Sequence, residues 1–297
     1  MRVVSVGECM VELSGAGQGL WRQAFAGDTF NTAWYLRALM PAKARVDYLT
    51  CVGQDAISSA MLDFISGAGI GTECITRHPT RAPGLYMIDL KDGERSFTYW
   101  RDSSAARCLA DDPEHLARCF QDADLVYFSG ITLAILTPER REVLLSAMEA
   151  APAKVAFDSN MRLRLWSGTD EMRDWIMKGA AVADIALPSF DEEAQYFGDA
   201  TPRATAERYQ EAGVEEILVK NGGDDMLART PEGEWIDLPC GERIRPVDTT
   251  GAGDSFNGVY LSARLEGASM ADAVARGHAT ASRVIQHPGA LIPRDAL

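Results

Sequence analysis

The run Asp248-Thr249-Thr250-Gly251-Ala252-Gly253-Asp254-Ser255 packs a glycine bend, three hydroxyls and two acids into eight positions. A Gly-Ala-Gly turn lets backbone approach a ligand closely. Residues Gly253–Leu265 carry a helical pattern, so the turn opens a helix. The first amides of a helix lack internal acceptors, and the dipole adds positive character there. Such a terminus favours a phosphate. A carboxylate at an anion site is repelled by it, and makes sense if it takes a proton from an attacking hydroxyl. Phosphoryl transfer requires positioned reactants, donors for the equatorial oxygens and a base. Gly251, Ala252 and Gly253 would supply the anion hole and Asp254 the base. An isolated Gly-x-Gly-Asp is also compatible with a plain capped helix start; the longer run, with Asp248-Thr249 ahead of it, is what favours chemistry.

Two other phosphate motifs are absent. No Gly-x-x-x-x-Gly-Lys-Ser/Thr occurs, and Val6-Gly7-Glu8-Cys9 does not give the glycine-rich turn of a dinucleotide fold. The formal net charge of -14, without a run of Lys and Arg, argues against nucleic-acid binding. Six scattered cysteines show neither Cys-x-x-Cys nor zinc-ligand spacing and suit reduced thiols. With no leader pattern and no long apolar stretch, the sequence reads as a cytoplasmic protein that does not engage a membrane.

Elements must hold these residues in place. Nearly continuous apolar runs at Arg2–Gly7, Val46–Val52, Leu125–Ser129, Val155–Asp158, Ile185–Pro188 and Ile217–Lys220 predict strands buried on both faces. Helical patterns alternate with them. Asp28–Leu39 and Asp55–Ile65 open on residues of N-cap type, and Pro138–Ala150 has Pro in its first turn. Thr169–Ala181, Asp191–Phe197, Thr201–Ala212 and Met270–Gln286 complete the set. This alternation predicts an α/β fold, a three-layer α/β/α sandwich on a mostly parallel sheet. Gly84–Arg101 breaks the rhythm with Asp92-Gly93, a hairpin-turn dipeptide, between two β-favouring runs. The Gly-rich segment Val11–Ala26 breaks it too. These excursions, 11–26 and 83–103, predict a small β-sheet lid on one domain spanning 1–297. Antiparallel strands are expected at Asp225–Thr230 and Glu234–Leu238, and a β-type run at Arg243–Val247.

Asp-Thr-Thr-Gly-Ala-Gly-Asp-Ser-Phe resembles the C-terminal signature of the ribokinase-like (PfkB) sugar kinases. Val6-Gly7-Glu8, Ala26-Gly27-Asp28-Thr29-Phe30-Asn31-Thr32 and Val52-Gly53-Gln54-Asp55 follow in family order. The resemblance implies an α/β/α core of about nine strands, ATP as donor and Mg²⁺ as helper. Pro83-Gly84-Leu85-Tyr86, Tyr99-Trp100-Arg101, Asn160-Met161-Arg162 and Arg276-Gly277-His278 are most similar to the branch that phosphorylates a 2-keto-3-deoxy sugar acid. It therefore implies Gly27, Asp28 and Asn31 at the sugar hydroxyls, and Arg101 and Arg162 at a carboxylate. Tyr86 and Tyr99 alternate with apolar neighbours and can face the cleft together. For the nucleotide the resemblance implies Lys220, Gly222, Ser189, Thr249 and Ala290. The tail Gly289–Pro293 would line the adenine pocket. Glu192 would organise Mg²⁺ through water, and Asp248 a monovalent cation such as K⁺. Ser189 stands where the family has Asn. Lids of this type imply a homodimer. A neutral-sugar or riboside kinase and a silent sugar- or nucleotide-binding sensor are the competing readings.

Overall fold

The computed structural model describes residues 1–91, 94–241 and 244–297. The expected hairpin turn at Asp92-Gly93 lies outside the described residues, as does Arg243.

A nine-stranded sheet runs through the molecule. Its strands are β1 (Arg2–Val6), β4 (Arg45–Val52), β5 (Ile75–Arg77), β8 (Leu125–Ser129), β9 (Lys154–Asp158), β10 (Ile185–Ala186), β11 (Glu216–Val219), β12 (Met226–Arg229) and β13 (Trp235–Leu238). They lie in the order β13-β12-β11-β10-β9-β8-β1-β4-β5. All pairs are parallel except β11–β12 and β12–β13. Helices connect the parallel strands, as chain crossovers require.

The helices are α1 (Asp28–Leu39), α2 (Ala56–Gly67), α3 (Pro113–Phe120), α4 (Gly130–Ala134), α5 (Pro138–Glu149), α6 (Thr169–Ala181), α7 (Phe190–Phe197), α8 (Pro202–Glu211), α9 (Ala252–Leu265) and α10 (Met270–Val284). Side chains alternate across each strand. In β8, Val126 and Phe128 enter one core with residues of α3, α5 and α6, whereas Leu125 and Tyr127 enter another with residues of α1, α2 and α9. Both faces are dry, which is why these strands carry no polar alternation.

A second sheet, in the order β3-β2-β6-β7, comprises β2 (Met10–Gly17), β3 (Leu20–Ala26), β6 (Leu85–Lys91) and β7 (Glu94–Trp100). It is the lid expected from the two excursions. Val11–Ala26 forms a hairpin whose first strand pairs in parallel with β6.

Three local expectations change. Gly27, not Asp28, caps α1, and Asp28 is the first helical residue. Residues 244–247 form no strand; Val247 is 70% exposed, so its β-favouring type finds no partner sheet. Helices α3 and α4 were not among the expected elements. No helix among the described residues is long and apolar enough to cross a membrane. Cys9, Cys51, Cys74, Cys108 and Cys119 are buried, and no disulfide joins the described cysteines.

Candidate active site

Ligands of open α/β sheets gather outside the carboxyl ends of the strands. Here β1 delivers Glu8, β8 delivers Ser129, β9 delivers Asp158 and Asn160, and β11 delivers Lys220 at one end of the sheet. The lid stands over this end. Between them lies a cleft of about 510 Å³. Gly27, Asp28, Asn31, Tyr86, Tyr99, Arg101, Arg162, Ser189, Glu192, Lys220, Thr249, Ala290 and the whole stretch Gly251–Asp254 line it. Segments far apart in sequence thus meet in one cleft.

The turn before α9 depends on Gly251, which has φ 76°. A Cβ there would be strained in this left-handed conformation and would stand 2.8 Å from the Ala290 carbonyl oxygen. Asp248 braces the turn. Its carboxylate accepts from Thr250 N (3.0 Å), Thr250 Oγ1 (2.7 Å) and Gly289 N (2.5 Å). No side chain caps α9. Ala252 N bonds back to Thr249 O and Ser255 N to Gly251 O. Among the described residues the amides of Gly253 and Asp254 meet no acceptor, so this helix start can receive an anion.

Asp254 is surrounded by protein atoms but keeps part of its surface open to the cleft. Asn31 Nδ2 donates to Asp254 Oδ2 at 2.8 Å. Burial, then the charge of Asp28, raises its pKa to about 7, against the pull of Asn31 and Lys220. A carboxylate tuned to this range is suited to proton removal near neutrality. Asp28 is itself shifted upward, chiefly by burial, and Ser129 Oγ and Asn160 Nδ2 donate to its Oδ2. Lys220 Nζ lies 3.2 Å from both Asp158 Oδ1 and Asn257 Oδ1. It brings a buried cation beneath the start of α9.

Glycine recurs where α1 begins. A Cβ on Gly27 would stand 2.0 Å from the Glu8 carbonyl oxygen, so only glycine fits between α1 and the segment leaving β1. On the lid, Tyr86 and Tyr99 stand opposite each other in register and stack with centroids 5.7 Å apart. Both line the cleft, although the Tyr86 hydroxyl donates to Glu12.

The model of the pfkB family carbohydrate kinases matches residues 1–297. The chain belongs to the PfkB family. One PfkB relative is the 2-dehydro-3-deoxygluconokinase of Escherichia coli (strain K12), 40% identical over 100% of this chain and 98% of that protein. Among solved structures, a PfkB protein from Polaromonas sp. JS666 aligns with TM-score 0.84 and 26% identity over 98% of each chain. A ribokinase-II-type protein of E. coli in complex with ATP and Mg²⁺ aligns with TM-score 0.83 and 23% identity, over 97% of this chain and 94% of that one.

A second pocket of about 570 Å³ adjoins the cleft of this PfkB chain, sharing Thr249 and Ala252 with it. Asp191, Asn221, Gly222, Asp224, His278 and Ile285 line it. Gly222 therefore belongs here and not in the cleft. The tail packs between Gly251 and the lid. Ala290 backs onto Gly251, its carbonyl accepts from Tyr35 Oη at 2.6 Å, and residues 288–293 face the lid and not this second pocket.

Two expected roles meet an internal competitor. The Arg101 guanidinium pairs with Glu8, with side chains 6% and 1% exposed. The Arg162 guanidinium pairs with Glu192, whose other oxygen accepts from Met161 N at 2.9 Å. Sequence patterns do not announce such pairs, because the partners lie 93 and 30 residues apart. The motif reading assigned no role to Asp158, Asn160 or Arg164, which also line the cleft. Strand-end position was the available signal for Asp158.

Proposed function

We propose that this chain transfers the γ-phosphoryl group of ATP to the C6 hydroxyl of 2-dehydro-3-deoxygluconate (2-keto-3-deoxygluconate). The observation that carries this reading is Asp254 beside the open amides of α9, in one cleft with three arginines. The E. coli relative named for this activity supports it.

Asp254 takes the proton of the C6 hydroxyl as that oxygen bonds to the γ-phosphorus. The bond to the bridging oxygen of ADP breaks. Amides at Gly253 and Asp254 and the cation of Lys220 hold the charged oxygens. Gly27, Asp28 and Asn31 position the sugar hydroxyls, and the lid keeps water from competing as acceptor. The purine and ribose of ATP occupy the pocket bounded by Gly222 and His278, with Thr249 at the junction.

Among the described residues, no group of three or more Asp, Glu, His or Cys could hold a metal. Glu192, with Ser189 near it, would be the residue that organises Mg²⁺ through water. Mg²⁺ supplies charge neutralisation on the triphosphate. Asp248, tying the turn to Gly289, is the residue that would hold K⁺. Residues 1–297 act as one kinase domain in the cytoplasm, and the lid pairs with that of a second copy.

Asp254→Asn tests the reading. It should lower kcat by about 10²–10⁴-fold in an ADP-release assay while the KM values stay close to those of the parent. Undiminished turnover would refute the assignment. Preference for neutral fructose across a substrate panel would instead point to another PfkB specificity.

A further inference from the structure

The starts of β1 and β5 lie at the end of the sheet away from the cleft. Two thiols, an imidazole and a guanidinium gather there. Cys74 stands in the turn before β5, Cys119 in the last turn of α3, His115 one turn earlier on α3, and Arg2 at the start of β1. None of the four lines the cleft. Arg2 and His115 each touch both cysteines. Arg2 Nη2 donates to Cys74 Sγ at 3.6 Å, and Arg2 Nη1 to the Cys119 carbonyl oxygen at 2.9 Å. His115 Nε2 lies 3.2 Å from the Cys74 carbonyl oxygen and 3.5 Å from Cys119 Sγ. Between them the two thiols are hydrogen-bonded to each other.

Burial pushes the thiols of Cys9, Cys51 and Cys108 up and so keeps them protonated. Cys74 goes the other way. The hydrogen bond from Cys119, helped by the charge of Arg2, holds it below its ordinary value, against burial and against Asp47, which pairs with Arg2 Nε at 2.6 Å. Cys119 is pushed up by the same bond, because it keeps the proton it donates. One sulfur is thus prepared as a nucleophile and the other as a proton-bearing partner. Cys74 is 2% exposed and Cys119 5%, which shuts out a reactant the size of glutathione. Hydrogen peroxide is little larger than water, and half-buried Arg2 and His115 form the rim through which it would enter. Neither sulfur is held rigidly. Cys74 lies in a turn closed by Ile75 N to Thr72 O at 3.0 Å, and Cys119 near a helix end, where small movements cost little.

We propose that Cys74 and Cys119 form a peroxide-oxidised dithiol site, reduced at rest and closed to a disulfide by hydrogen peroxide. The Cys74 thiolate attacks one oxygen of the peroxide and the O–O bond breaks. A sulfenic acid forms on Cys74, and the departing hydroxide takes up the proton that the Cys74 thiol had released. The Cys119 sulfur then attacks the Cys74 sulfur. Its proton passes to His115 Nε2 and on to the second departing hydroxide. In sum, two thiols and one peroxide give one disulfide and two waters, the sulfurs losing two electrons to the peroxide oxygens. A bond of this kind, made only under oxidant, suits a compartment that otherwise keeps thiols reduced. The site stands apart from the phosphoryl-transfer cleft and does not depend on it.

The test exposes the folded full-length chain to hydrogen peroxide, blocks remaining thiols with N-ethylmaleimide and maps tryptic peptides by mass spectrometry. Cys51 shares a tryptic fragment with Cys74, so fragment ions assign the bond. The parent should yield a Cys74–Cys119 link that dithiothreitol reverses, with Cys74 consumed about tenfold faster than Cys51. Cys119→Ser should stop at a sulfenic acid on Cys74, trapped by dimedone. His115→Gln should slow closure of the disulfide more than it slows loss of the Cys74 thiol. A parent chain that forms no such link overturns the proposal. So does a bond from Cys74 to Cys51 or Cys108 in its place, or a Cys74–Cys119 link that appears only after urea has unfolded the chain.

Discussion

Asp254 and Asp28 illustrate how one carboxylate sets the proton affinity of another. Burial and the negative field of Asp28 hold the Asp254 pKa at about 7. A base works only when unprotonated, so kcat/KM should climb about tenfold per pH unit below that value and level off above it. Asp28→Asn removes the repelling charge and should move this acidic limb to lower pH, whatever it does to the plateau. A pH–rate profile of both proteins checks the sign. Gly251 makes a second demand at this scale. Gly251→Ala combines an unfavourable φ with collision against Ala290 and should cost about 1–3 kcal/mol of stability, read as a lowered Tm, together with most of the turnover.

Among the elements, the lid is tied to the body by a buried ion pair near its root. Arg101 at the end of β7 meets Glu8 after β1, and within the lid Tyr86 on β6 meets Glu12 on β2. Arg101→Ala leaves Glu8 buried and unpaired and should destabilise the fold by about 3–5 kcal/mol, seen in chemical denaturation. The double variant Arg101→Met, Glu8→Leu should regain much of that loss, because no buried charge remains. The elements themselves were largely legible in the sequence. Strands buried on both faces announce themselves as apolar runs, and Pro or Asp marks the starts of α1, α2, α3, α5 and α8. Pairings such as Arg162 with Glu192 were hidden, because nothing in local spacing encodes which acid a distant arginine will meet. Residues 244–247 misled for a related reason: β-favouring residue types form a strand only where a sheet edge receives them.

At the scale of the molecule, the lid carries Leu20, Trp21, Phe97 and Trp100 among the largest exposed apolar side chains. A monomer gains little from such surface, and a second copy could cover it. Sedimentation should show a dimer whose dissociation constant rises by at least tenfold in Trp100→Glu, with the helical signal unchanged. A monomeric parent at micromolar concentration would contradict the lid pairing. The acidic surface charge leaves such pairing to apolar contact, so it should tighten in added salt.

The bond from Asn31 to Asp254 closes a loop of 223 residues. Contacts of such separation are among the slow ones to form when a chain regains its structure, because loop closure costs entropy before it is rewarded. After dilution from denaturant, helical circular dichroism should therefore return ahead of catalysis. The interval between the two recoveries would time the moment at which the beginning and the later part of the polypeptide first cooperate.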